Sequence, residues 1–124
     1  MNIVDSCGWL EYFANAANAD FFAPSIEDTG NLFVPSLTLF EVFKRVLQQR
    51  NEADALRAVA LMKRGQVVEL SEPMAIGAAR LSLELKLPMA DSIILQTARS
   101  MNATLWTQDA HFENIKDVQF IKKA

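Results

Sequence analysis

Four carboxylates, Asp5, Glu41, Asp91 and Asp109, stand where acid side chains could share a divalent cation. Each also has an ordinary structural reading. Asp5 ends the apolar run Ile3-Val4 and could cap a helix beginning at Ser6, because an aspartate there accepts hydrogen bonds from free backbone amides. Glu41 follows Thr38 by three residues, the spacing of a capping box. Asp91 falls in the first turn of a helix after Pro88, where the helix dipole favours negative charge. Asp109, two residues beyond Leu105-Trp106-Thr107, could cap a turn holding His111 and Phe112.

Four separate caps would each be ordinary. Three of these acids, however, fall just beyond the carboxyl end of a predicted strand, the edge at which open α/β sheets bind ligands. Asp91 is in line with Ile94, Leu95 and Ala98 on the inward face of its helix, and acids seldom point inward without a partner. If the four converge at about 6 Å, with an effective dielectric near 20, each charged pair repels by roughly 3 kcal/mol. A cation must offset that repulsion. Hard oxygen donors without histidine or cysteine ligands select magnesium or manganese over zinc, and such an ion activates water for attack on a phosphodiester.

The neighbours of the acids divide into supporting and incidental residues. Ser6 and Thr107 carry hydroxyls that could hold a carboxylate or a water beside the metal, or could simply bond to their own turns. Lys44 and Arg45 follow Glu41 by three and four residues, so at least one could lie a helical turn away and meet a phosphate; a solvated surface pair is the alternative. His111 is the sole histidine, and metal activation makes it unnecessary as a general base. Cys7 is the sole cysteine, with no histidine nearby in sequence to activate it, and reads as a small buried thiol.

The elements that must position these residues follow from the apolar pattern. Asn2–Asp5 predicts a strand, and Trp9, Tyr12, Phe13 and Ala16 recur behind it at helical spacing. A second short helix over Ala19–Asp28 and a loop at Gly30-Asn31 lead to the strand Leu32-Phe33-Val34. Leu39, Phe40, Phe43, Val46 and Leu47 form the stripe of a helix ending near Arg50-Asn51; another runs from Glu52 to Arg64 and is closed by Gly65. Val67–Leu70 is a third strand. Pro73 opens a helix carrying Met74, Ala78, Leu81 and Leu85 on one face, and Pro88 precedes a helix from about Met89 to Met101 that stops at Asn102, a residue tolerant of left-handed backbone. Strands at Leu105-Trp106 and Val118–Ile121 flank a single turn around Ala110–Asn114. Alternating strands and helices imply one α/β domain over residues 1–124 with a mainly parallel sheet.

Bulk properties narrow the class. A chain of 124 residues can bury a core without disulfides or structural zinc, and one cysteine permits no internal disulfide, which suits a reducing cytoplasm. No stretch approaches the roughly 18 apolar residues of a membrane span. A net charge of −3 argues against a module that holds nucleic acid by phosphate neutralisation alone, but not against a nuclease whose acids recruit cations.

The order Asp5-Ser6, Glu41, Ala90-Asp91 and Thr107-Gln108-Asp109-Ala110-His111-Phe112 resembles the PIN-domain family over essentially the whole chain. The segment from Ala90 through Thr97-Ala98 to Phe112 is similar to the carboxyl-terminal half of VapC toxins, ribonucleases of type II toxin–antitoxin systems. The resemblance implies a three-layer α/β/α domain whose four acids bind one or two Mg2+ or Mn2+ ions and cleave single-stranded or loop RNA. It also implies a homodimer and a VapB-like antitoxin, seated in an apolar groove near Trp9, Tyr12, Phe13, Phe21 and Phe22; the same aromatics could equally be core. Two departures, Asn102 for a frequent glycine and Gln108 for a frequently charged residue, spare the acids. The rival readings are a non-catalytic binding module on the same fold and a housekeeping RNA-processing nuclease.

Overall fold

A computed structural model describes residues Met1–Ala124. Five strands, β1 (Asn2–Val4), β2 (Leu32–Pro35), β3 (Gln66–Val68), β4 (Thr104–Thr107) and β5 (Val118–Phe120), form one sheet in the order β3-β2-β1-β4-β5. Every pairing is parallel. Six helices cover the sheet: α1 (Ser6–Phe13), α2 (Ala19–Glu27), α3 (Ser36–Gln49), α4 (Glu52–Met62), α5 (Glu72–Leu85) and α6 (Met89–Ser100). No helix is long and apolar enough to cross a membrane.

The two-residue period of the strands builds the three layers. Ile3 and Leu105 join Phe33 in a core completed by Leu81 of α5 and Ile94, Leu95 and Ala98 of α6. Their neighbours Val4, Leu32 and Val34 enter a second core with Trp9, Phe22, Val42, Ala58 and Met62 from α1 to α4. Both faces of the sheet are therefore covered, as apolar residues on both sides of a parallel strand require. The chain runs outward from β1 through β2 to β3, then returns to place β4 on the opposite side of β1. Helices leaving β1 and β4 consequently diverge, opening a crevice at the carboxyl ends of these two central strands.

Several local expectations change. Helix α1 ends at Phe13, where Asn15 turns left-handed (φ 49°) and Ala16 N–H reaches back to Glu11 O, so Ala16 is exposed beyond the helix. Strand β3 stops at Val68, leaving Leu70 largely in solvent, and β5 stops at Phe120. On α3 the fully buried aliphatic residue is Val42, whereas Phe40 is 62% and Leu47 44% exposed. Asn102 does end α6 in the left-handed region (φ 51°), and Lys86 (φ 56°) does the same for α5 without any glycine. Gly65 has no positive φ; a Cβ there would meet Leu32 O at 2.9 Å, so close approach to β2 is what excludes a side chain.

Candidate metal centre

The β1/β4 crevice gathers acids from four elements. Asp5 directly follows β1; its amide pairs with Trp106 O and its Oδ1 accepts from Ser6 N–H at 2.8 Å, capping α1. Its Oδ2 accepts from the Thr107 hydroxyl at 2.7 Å. That hydroxyl in turn accepts from Asp109 N–H at 3.0 Å, so the buried Thr107 links the two acids at the ends of adjacent strands. Asp109 caps the single 3-10 turn Ala110–Phe112 through His111 N–H at 2.9 Å, and Phe112 anchors that turn in the core.

Asp91 occupies the first turn of α6 with its side chain only 13% exposed, in register with buried Ile94, Leu95 and Ala98. Oxygens of Asp91 and Asp109 lie within 4.8 Å of each other and of a His111 nitrogen. Glu41 is half-buried in the second turn of α3. The capping box expected for it does not form. Helix α3 begins at Ser36, so Thr38 is already inside and its hydroxyl donates to Pro35 O at 2.6 Å. Glu41 is thereby free to serve the crevice. Asp5 and Glu41 stand outside the tightest group but feel its charge.

Electrostatics record that convergence. Burial pushes the Asp5 carboxyl up to about 6, with Asp91 and Asp109 adding to the rise against the opposing Thr107 and Ser6 hydrogen bonds. Glu41 is raised by burial and then by Asp5, with smaller contributions from Asp91 and Asp109, while Ser6 nearby favours its charged form. Asp91 is raised by burial and by Asp109, against His111. No lysine or arginine pairs with any of the four; the one nitrogen partner is His111, whose Nδ1 lies 2.7 Å from Asp91 and 3.2 Å from Asp109. Oxygen donors converging with so little positive charge fit a hard divalent cation.

The remaining expected residues divide. Ser6 and Thr107 both support acids. Arg45 borders a shallow depression beside the crevice with Cys7, Gln108 and Lys123, whereas Lys44 turns its ammonium over the Phe40 ring at 5.7 Å. Cys7 is held by Asp5 and Thr107, and burial with the Asp5 charge pushes its thiol up to about 12, which removes it as a nucleophile. Trp9 and Phe22 are fully buried core and do not line a groove. Tyr12, Phe13 and Phe21 are partly buried: Tyr12 donates to Glu27 at 2.8 Å and Phe21 packs edge-on against Trp106. Of these aromatics only Phe13 lines a cleft of about 550 Å³ between α1, α3 and α4, which contains none of the four candidate acids. A Gln108 network went unforeseen: its amide joins Asn18 at 2.9 Å and Glu11 at 3.3 Å, fastening the α1–α2 loop to the end of β4. Its only sequence signal was a polar residue between Thr107 and Asp109.

The PIN-domain family model matches residues 3–118, which takes in all four acids. The chain belongs to the PIN-domain family. Among solved structures, this PIN domain is similar to a toxin–antitoxin complex from Klebsiella pneumoniae, with a TM-score of 0.78, 20% identity and 95% of each chain covered. It also resembles VapC20 of Mycobacterium tuberculosis, a sarcin-ricin loop cleaving toxin (TM-score 0.76, 13% identity, 94% of this chain and 95% of that one). VapBC-1 of nontypeable Haemophilus influenzae aligns at TM-score 0.73 and 21% identity over 98% of this chain and 96% of that one. At these identities the likeness is one of fold. No curated protein sequence matches significantly.

Proposed function

We propose that this PIN domain is a divalent-metal-dependent endoribonuclease acting as the toxin of a toxin–antitoxin pair. The observation that supports the reading is the close grouping of Asp91 and Asp109, with Asp5 and Glu41 near enough to feel their charge and no lysine or arginine paired to any of the four. In this reading the four acids hold one or two Mg2+ or Mn2+ ions. Such an ion, when bound, supplies Lewis acidity toward a water and toward the phosphate. The chain's own contribution is positional. Ser6 N–H and the Thr107 hydroxyl fix the two oxygens of Asp5, and Thr107 sets Asp109 beside it. Arg45, with Lys123 across the same depression, is placed to receive a phosphate next to the one being cut. Lys44, whose ammonium lies over the exposed Phe40 ring, is the second candidate for this role.

The toxin assignment draws support from structural neighbours that are toxin–antitoxin complexes. A VapB-like antitoxin would seat an apolar segment in the cleft formed by Leu10, Phe13, Val46 and Leu61, and exposed Phe40, Leu47 and Leu83 provide apolar surface for a homodimer. RNA rather than DNA as substrate, and a cytoplasmic site of action, belong to the same proposal. The structural reading of a binding module accounts for Asp5 and Asp109, which cap, and for Asp91 in the first turn of α6, but not for Glu41, whose capping box does not form.

The test is cleavage of a mixed structured RNA pool with Mg2+ or Mn2+ beside an Asp91→Asn variant. Metal-dependent cutting absent from the variant is expected. Equal cutting by both proteins, or none by either, would sink the proposal.

A further inference from the structure

His111 is the one group in the crevice that the four-acid reading leaves unused. Its position is imposed from two sides. Phe112, fully buried, pins the turn to the core, and Asp109 Oδ1 accepts the His111 backbone N–H at 2.9 Å. The ring then lies over the crevice with Nδ1 at 2.7 Å from Asp91 Oδ2 and 3.2 Å from Asp109 Oδ1. Two adjacent ligands of an octahedral ion with bonds of about 2.1 Å stand about 3.0 Å apart. These two separations bracket that edge, and the three donor atoms all fall within 4.8 Å of one another.

The geometry points to His111 Nδ1 as a direct ligand of the metal beside Asp91 and Asp109, adding a nitrogen to the oxygen donors. This rests on the metal reading above and narrows it. A carboxylate-only set accommodates Mg2+ and Mn2+ alike. An imidazole nitrogen suits Mn2+, and more so Co2+, better than Mg2+, which prefers oxygen and retains its waters. His111 therefore sets which ion the crevice takes. A merely hydrogen-bonded histidine would leave the metal's ligand shell free of nitrogen.

The experiment uses the full chain without a histidine tag. His111 is the only histidine, so any imidazole signal has one source. Pulsed EPR of bound Mn2+ should show coupling to an imidazole nitrogen in the native protein, absent in His111→Gln. Competition between Mn2+ and Mg2+, followed by the free Mn2+ EPR signal, should show the preference for Mn2+ reduced about tenfold in His111→Gln. Bound Mn2+ that requires Asp91 and Asp109 but shows no nitrogen coupling overturns this inference and leaves the four-acid reading intact. Failure of Mn2+ to bind at all overturns both.

Discussion

Asp5 serves the fold and the crevice with the same two oxygens, one on the Ser6 amide and one on the Thr107 hydroxyl, and its burial sets the sign of its pH response. Its carboxyl titrates near 6 when folded against 3.8 ordinarily, so the folded chain binds the extra proton and stability falls as pH rises between those values. That interval corresponds to about 3 kcal/mol. Glu41, Asp91 and His111 are all raised too and act in the same direction. In chelator, the melting temperature should be higher at pH 5 than at pH 8; a melting temperature that rises with pH would contradict this arrangement of charges. Thr107→Val keeps the shape but takes a partner from Asp5 Oδ2 and from Asp109 N–H. It should cost about 1–3 kcal/mol in chemical denaturation. Metal affinity by titration should drop roughly tenfold or more.

At the scale of elements, sequence pattern located all five strands and all six α-helices, because alternation and helical stripes are written directly in residue order, while the 3-10 turn Thr29–Asn31 lies where that pattern predicts a loop. What it misjudged depended on neighbours distant in the chain. Thr38 and Glu41 have capping-box spacing, but the helix starts earlier because Ser36 directly follows the buried end of β2. Phe40 and Leu47 are as apolar as Val42, yet only the packing of α3 decides which of them faces inward. Lys86 carries no signal for a left-handed backbone, while Asn102 does. Strand ends predict an edge, which is how Asp5 and Asp109 could be placed there from residue order, whereas the His111 contact needed the turn at 110–112 in three dimensions. Helix α1 offers a sharp test of packing. A Cβ on Gly8 would lie 2.6 Å from Phe22 and 2.7 Å from Val4, both fully buried. Alanine gains helix propensity of about 1 kcal/mol, but overpacking costs about 1–3 kcal/mol. Gly8→Ala should therefore be net destabilised in a urea melt; a more stable variant would mean that α1 can lift from β1.

For the molecule as a whole, the crevice is a place where like charge has been concentrated at the folded state's expense, and an ion that binds there should return that stability. At one hundred times its dissociation constant, a single bound ion adds about 2.7 kcal/mol, which in a domain of this size is an upward melting shift of about 10 °C. The shift should appear with Mn2+ by calorimetry and vanish in Asp91→Asn; no shift in the native chain would favour a binding module. The sheet order separates the acids widely in sequence while bringing β1 and β4 side by side. That connectivity also governs timing. Proteins are made from the amino end, and Asp109 is the last of the four acids to be added. A product of interrupted synthesis that stops before β4 lacks both Thr107 and Asp109, so the set of four acids is complete only after translation has passed that point.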